Sequence, residues 1–502
     1  MLAWGNLRDV FAPESLTKFD NPREGNMMNT LPHAKPRLSL LSPEQIERVH
    51  AKSLDILARV GLRVDSTRAA EILAKADGVK FVAPDHAVIQ PELVEWAIQS
   101  APSTIQIYNR RGEPAFQLGA DRTRFGVGVT NLYYQDPLSD QISPFNRELL
   151  ARSVRLGDAL PAYDLVSTPG ILRDVSTGQA DLYAILEMAA NTHKPLVILV
   201  SDEKQFAPGL DLLQGIHGDL SEKPFVIPYF NPVSPLILNL ETAHKMITTI
   251  ERGLPFIYSN YGMVGMSTPI TPASTLALLN AELLAGLVFT QIVRPGAPVI
   301  LGSLPAYFDM KTMVDFYDPK TMFLNLACAE MMAHYRLPHA GTSGSGNGWG
   351  ADLLAAGALW INHLTACLGL VGLAPFVGGA LTSKVFSPTA VVYSNEIIEQ
   401  ALLFSQGFKL DDEAFAMDDI QAAGPGGHFL MTERTYRTFR EAYHTSSIFP
   451  RWSLEKWQEE GQPKADQNLR DRTIQLIRES KPPDDYEEWI RKGEKRIKRI
   501  LG

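Results

Sequence analysis

The chain has 502 residues, 45% of them hydrophobic, enough for a large core built as one barrel with added segments or as several domains. Its net charge of -9 argues against an electrostatic nucleic-acid binder, which needs a concentrated basic face. The one basic cluster, Arg491 to Arg499, reads as the solvated side of a C-terminal helix.

The two cysteines, Cys328 and Cys367, each sit in an apolar helical run, with no metal spacing and too few in number for a disulfide framework; both are expected as buried, reduced thiols. Arg8, Asp9 and Glu14 stand where a signal peptide needs an apolar core. Residues 364–377, read as the longest apolar stretch, are broken by Gly369, Gly372 and Pro375 and are too short for a bilayer. A soluble, cytoplasmic protein with no membrane partner is expected.

Along the chain, residues 1–40 read as an irregular arm, with prolines at 13, 22, 32 and 36. Residues 41–123 read as an N-terminal unit. Ser42 as N-cap, Pro43 at the first helical position and Gln45 closing a capping box open a helix that Gly61 ends. Shorter helices follow at 67–75 and 91–99, then an antiparallel hairpin pairing 105–108 with 115–118 around Arg111-Gly112.

From 124 to about 410 short apolar runs alternate with helical stretches, the mark of repeated βα units. The runs are 124–129, 164–168, 195–200, 225–229, 255–258, 298–301, 338–342 and 375–379, with helices including 181–190, 273–292, 323–335 and 352–368. Eight such strands close a (β/α)8 (TIM) barrel. An open doubly wound sheet is the alternative, but no G-x-G-x-x-G turn joins a strand to a helix. The fold class is therefore α/β, with an N-terminal helical and hairpin extension and a C-terminal helical extension over 411–502. That last part is expected to wrap the barrel or to mediate subunit contact in a homo-oligomer.

Parallel barrels carry their sites at the C-terminal ends of the strands. Those ends hold Tyr229, Phe230 and Asn231, then Tyr258, Asn260 and Tyr261, then Ser303, then Asn347 and Trp349 within the glycine-rich segment 341–350. Rings, amides and hydroxyls dominate, while lysine, histidine and paired carboxylates are scarce; Asp202-Glu203-Lys204 reads as the start of a helix. An aldolase, metallohydrolase or glycosidase would show the opposite. Aromatic faces with amides suit a cation that cannot donate hydrogen bonds, a methylated ammonium held by cation–π attraction. The alternative is that Tyr229, Phe230, Tyr258 and Tyr261 simply fill the barrel top.

The 341–350 segment lacks the Lys-Ser/Thr ending of a phosphate loop and reads as a ligand-hugging βα loop. Gly424-Pro-Gly-Gly-His428 reads either as a structural turn or as backbone approaching a bulky ligand beside His428. His244, His334 and His363 read as packing or surface residues, and His339 lies at the strand start, away from the chemistry. No metal ligands and no catalytic residue are assigned.

Several segments together resemble the trimethylamine:corrinoid methyltransferase superfamily over about 42–460. They are Leu41-Ser-Pro-Glu-Gln-Ile46 with Ile56-Leu-Ala-Arg-Val-Gly61, then Ile107-Tyr-Asn-Arg-Arg-Gly112 and Gly296-Ala-Pro-Val-Ile-Leu-Gly302. Ala329-Glu-Met-Met-Ala-His-Tyr-Arg-Leu-Pro338 and Gly424-Pro-Gly-Gly-His-Phe-Leu430 complete the set. The resemblance implies a (β/α)8 barrel that binds a methylated amine and docks a separate corrinoid protein, which carries the cobalamin cofactor, over its mouth. Archaeal trimethylamine enzymes carry pyrrolysine. This chain has none, and residues 345–352 read Ser-Gly-Asn-Gly-Trp-Gly-Ala-Asp. The chain is thus similar to the non-pyrrolysine branch, whose members demethylate glycine betaine and related betaines.

The implied function is transfer of a methyl group from a small quaternary ammonium compound to Co(I) of a corrinoid protein. The alternatives are a betaine- or amine-binding barrel without methyl transfer, and a corrinoid methyltransferase with another methyl donor.

Overall fold

The computed structural model describes residues 33–119, 122–346 and 348–502. The expected irregular arm falls outside them as far as residue 32; His33–Ala34 then pairs antiparallel with Phe408–Lys409.

The apolar runs form eight parallel strands: β1 Arg124–Val127, β2 Leu165–Ser167, β3 Leu196–Ile198, β4 Val226–Phe230, β5 Phe256–Val264, β6 Val299–Asp309, β7 His339–Ala340 and β8 Leu373–Val377. Each is followed by a helix: α1 Arg147–Ala159, α2 Thr177–Asn191, α3 Glu203–His217, α4 Leu240–Glu251, α5 Pro272–Val293, α6 Pro319–Tyr335, α7 Leu353–Leu368 and α8 Pro388–Gln406. Each strand pairs with the next, and β8 pairs with β1, so the barrel is closed. Closure pairs each of the eight barrel strands on both sides and places all their C-termini at one mouth.

Two strands run well past the others. The β5–β6 ladder continues from Phe256↔Val299 to Val264↔Tyr307, and Val314–Phe316 then folds back antiparallel on β6. This three-stranded wall stands above the mouth. The sequence reading stopped these strands at 258 and 301, because polar residues such as Ser259, Asn260 and Ser303 interrupt the apolar runs.

The other end of the barrel is plugged. The hairpin of Ile105–Tyr108 with Pro114–Leu118 sends Ile105, Ile107, Phe116 and Leu118 into the same apolar cluster as Leu165, Val197, Ile227, Ile257, Ile300 and Leu373. Arg110 fixes the plug from below. Its Nε donates to the Thr192 carbonyl at 3.0 Å, and its two terminal nitrogens each donate to the Asp485 carboxylate at 2.7 Å. The guanidinium also stacks 4.5 Å over Trp489.

Helix α5 is apolar on all sides and 22 residues long, and by length and composition it alone among the described residues could cross a membrane. Its surroundings give the reason: β5 and β6 cover one face and the N-terminal helices Pro43–Arg59 and Pro91–Ser100 cover the other. A helix covered on both faces has no need of a polar stripe. The capping box of Ser42 and Gln45 is formed, and Gly61 adopts φ +72°, where a Cβ would sit 2.1 Å from the Ala87 carbonyl oxygen. The C-terminal helices Ala465–Glu479 and Tyr486–Leu501 lie on α1 and α8 and on α2 and α3, so this extension wraps the barrel. Cys328 and Cys367 are buried free thiols, pushed up to about 12 by burial.

Candidate functional site

At the mouth, above the apolar filling, lies a cavity of about 260 Å³. Four rings line it: Tyr229 from β4, Tyr261 from β5, Tyr317 from the chain just after the fold-back strand, and Phe376 from β8. Phe376 meets Tyr229 edge to face, with centroids 4.9 Å apart and planes at 84°. Burial raises the Tyr229 and Tyr317 hydroxyls to about 12, and raises that of Tyr261 still further, helped by the adjacent Tyr317 and Asp315. All three rings therefore stay neutral at physiological pH and present electron-rich faces.

The polar part of the lining is Asn231, Asp315, Thr342, Ser345, Thr382 and Ser383. Asn231 Nδ2 donates to the Tyr229 hydroxyl at 2.9 Å and to the Ser259 carbonyl at 2.8 Å, which fixes the ring. The Tyr261 hydroxyl donates to Asp315 Oδ2 at 2.6 Å. The Ser345 and Ser383 hydroxyls are 2.6 Å apart. Among the described lining residues there is no lysine, arginine or histidine.

Ser383 closes a run of three non-glycine residues, Leu381 to Ser383, with φ between +50° and +60°. Each costs on the order of 1 kcal/mol against ordinary backbone. Asn131 Nδ2 holds the run by donating to the Ser383 carbonyl at 2.7 Å, and Leu132 N–H donates to the Lys384 carbonyl at 2.9 Å. The strain turns two hydroxyl residues toward the cavity. Across from them Gly346, at φ +86°, passes so close to Tyr317 that a Cβ would lie 2.5 Å from the ring. Gly346 thus lets backbone pack against the cage.

Of the residues singled out from the sequence, Tyr229, Asn231 and Tyr261 line this cavity. Four others are corrected by strand parity, because alternate residues of a strand face opposite sides. Phe230 packs on Phe206 and Phe256 beneath the helices. Tyr258 lies against α5, where a Cβ on Gly286 would sit 2.0 Å from its ring. Asn260 is buried, donating to the Leu279 carbonyl and accepting from Ser303 Oγ, so both side chains serve the wall behind the cavity.

Trp349 is 69% exposed and lies outside the lining. Asn347 lies outside the described residues. His428 is exposed on the C-terminal extension, and the glycines before it make an open surface turn. Asp315, Tyr317, Thr342, Ser345, Phe376, Thr382 and Ser383 were not singled out. The signal for two of them was the alternation Val314-Asp315-Phe316-Tyr317, a short strand with Asp315 and Tyr317 on one side.

Asp202 caps α3, as its sequence suggested. His363 is buried, hydrogen-bonded to Ser343 Oγ at 2.7 Å, and burial holds it down at about 3. His339 bonds the Leu301 carbonyl and is held down at about 4 for the same reason. One group of described residues has metal-ligand spacing: Glu396, Glu399 and His444, outside the barrel mouth. There the imidazole already lies between the two carboxylates, at 3.3 Å and 3.8 Å.

The trimethylamine methyltransferase (MTTB) family model matches residues 15–491. A trimethylamine methyltransferase of Desulfitobacterium hafniense DCB-2 is 27% identical over 461 residues, covering 90% of this chain and 92% of the relative. A glycine betaine methyltransferase of D. hafniense Y51 is 24% identical, covering 85% and 89%. Among solved structures, the monomethylamine methyltransferase of Methanosarcina barkeri superposes with a TM-score of 0.52 at 8% identity, covering 89% of each chain, a likeness of fold. The chain belongs to the trimethylamine methyltransferase family and is a methyltransferase built on a closed (β/α)8 barrel.

Proposed function

We propose that the protein moves a methyl group from a small quaternary ammonium compound to the cobalt of a corrinoid carried by a separate protein. The observation that carries this reading is the cavity at the mouth, where four neutral rings surround a space of about 260 Å³. A methylated ammonium offers no N–H to bond, so ring faces are its natural partners, each contributing about 0.5–2 kcal/mol.

The reduced corrinoid would supply the nucleophile that takes the methyl carbon. The chain's own residues bind, orient and dry the donor. The leaving group is a neutral tertiary amine, which needs no general acid, and this agrees with a lining of phenols and hydroxyls. Positive charge on nitrogen fades as the bond to carbon breaks, so a tight cage would hold the bound donor more strongly than the transition state. Affinity is therefore modest, and rate comes from orientation in a water-poor site.

The rim supports docking of a partner: Met310, Met313 and Trp349 on the loops beyond β6 and β7, and Leu353 at the start of α7, are 69–93% exposed. An exposed apolar rim is characteristic of an interaction site. Glycine betaine and related betaines are the first donors to test, given the relative named glycine betaine methyltransferase.

The test is to incubate the protein with cob(I)alamin and one donor at a time and follow the optical spectrum. Methylcobalamin formation that needs both protein and donor is expected. Donor binding by calorimetry with no methyl transfer, even when a corrinoid protein is supplied, would favour a binding barrel instead.

A further inference from the structure

The charge of the cavity narrows the donor. Asp315 is the only charged residue among the described lining residues. It stands on Val314–Phe316, the strand folded back on β6, and reaches the cavity beside Tyr261 and Tyr317. Tyr261 donates to one carboxylate oxygen, Oδ2, at 2.6 Å. The other, Oδ1, receives no hydrogen bond from any described residue, and no described lysine, arginine or histidine pairs with the group. Asp315 is half-buried, and its second oxygen is free to face a cation bound in the cavity.

We propose that Asp315 makes this site select methyl donors of net positive charge, choline-like quaternary ammonium ions that carry no carboxylate, over zwitterionic betaines. The proposal rests on the methyl-transfer reading and specifies its donor. A betaine's own carboxylate would enter the same small cavity as Asp315, with only neutral hydroxyls to receive it: Thr342, Ser345, Thr382 and Ser383. No guanidinium or ammonium among the described lining residues offsets that repulsion. A donor ending in a hydroxyl meets the same four groups at no electrostatic cost.

Asp315 acts on the bound donor rather than on the reaction. The charge it attracts persists only in part in the transition state, so its removal raises KM and leaves kcat unchanged or somewhat higher. Asp315→Asn isolates this effect, because the amide oxygen still accepts from Tyr261.

The experiment compares choline, tetramethylammonium and glycine betaine with wild type and D315N, by calorimetry and by methylcobalamin formation. In wild type, the two cations are expected to bind and react at least about tenfold better than glycine betaine in kcat/KM. In D315N their KM rises by about tenfold or more, kcat is kept or rises by less than KM does, and the gap to glycine betaine narrows. Equal or better use of glycine betaine by wild type would overturn the proposal while leaving the methyl-transfer reading intact. So would a D315N variant of unchanged melting temperature with unchanged selectivity. If no donor reacts even with a corrinoid protein supplied, the methyl-transfer reading fails, and the calorimetric ratio still decides whether Asp315 selects by charge.

Discussion

Phe376 shows how one side chain serves both shape and charge recognition. Its ring lines the cavity and braces Tyr229 at 4.9 Å. Phe376→Ala removes one ring face and loosens a second, so KM for a quaternary ammonium donor should rise about two- to thirtyfold, matching 0.5–2 kcal/mol. Steady-state kinetics against donor concentration check this. An unchanged KM would remove Phe376 from the binding surface. Tyr229→Phe keeps the ring and loses only the bond from Asn231, so its KM should stay near wild type.

At the residue scale the strand residues singled out from the sequence divide between the two faces of the barrel wall. Tyr229, Asn231 and Tyr261 point in, whereas Phe230, Tyr258, Asn260 and Ser303 point to the helices. In a parallel barrel both strand faces are buried, so hydrophobic pattern alone does not reveal which parity faces the cavity.

Among the elements, α5 carries the clearest consequence of burial. Glu282 lies within this apolar helix and accepts from Ser234 Oγ at 2.8 Å and from Leu236 N–H at 2.7 Å. It thereby anchors the loop after β4. Burial raises its carboxyl from the ordinary 4.5 to about 7, against the opposing effect of those hydrogen bonds.

A carboxyl with a raised folded-state pKa binds its proton more tightly in the folded protein. Its stabilising effect is complete below about pH 4.5 and is lost as pH rises to about 7. The loss is on the order of 3 kcal/mol. Glu282→Gln can keep both contacts, its carbonyl accepting from Leu236 and its amide donating to Ser234. Between pH 5 and 8 wild type should therefore lose melting temperature relative to E282Q. Parallel curves for the two proteins would contradict the assignment.

Two of the segments that carried the family resemblance are joined by hydrogen bonds. Leu40 and Leu41 donate their backbone N–H groups to the two oxygens of Glu330 on α6, at 2.9 Å and 2.7 Å. Two of the quoted motifs thus meet in space. The β5–β6 extension escaped the sequence reading because polar residues on the barrel wall ended the apolar runs early. With it went Tyr317 and Asp315, the residue on which donor selection is proposed to turn.

For the whole molecule, the barrel is clamped at the end opposite its site. Arg110 joins the hairpin plug, the loop before β3 and the C-terminal helix through Thr192, Asp485 and Trp489. Arg110 is buried, while the Asp485 side chain is 40% exposed and therefore partly screened. Arg110→Met should cost about 2 kcal/mol, most of it from the unmet Thr192 carbonyl and the lost stacking. The melting temperature should fall by several degrees while KM for the donor is kept, because the clamp lies far from the mouth. A changed KM with unchanged stability would show that the plug shapes the site. Period and composition alone exposed the eightfold repeat and the N- and C-terminal extensions. They did not expose which end was plugged, because that depends on which side of the hairpin meets the barrel.

The most direct test of the account is a crystal structure of the protein with tetramethylammonium. The nitrogen should lie in the mouth cavity, within about 6 Å of the ring centroids of Tyr229, Tyr261, Tyr317 and Phe376, with Asp315 Oδ1 facing it. Density for the ion only elsewhere, with the cavity holding water, would contradict it.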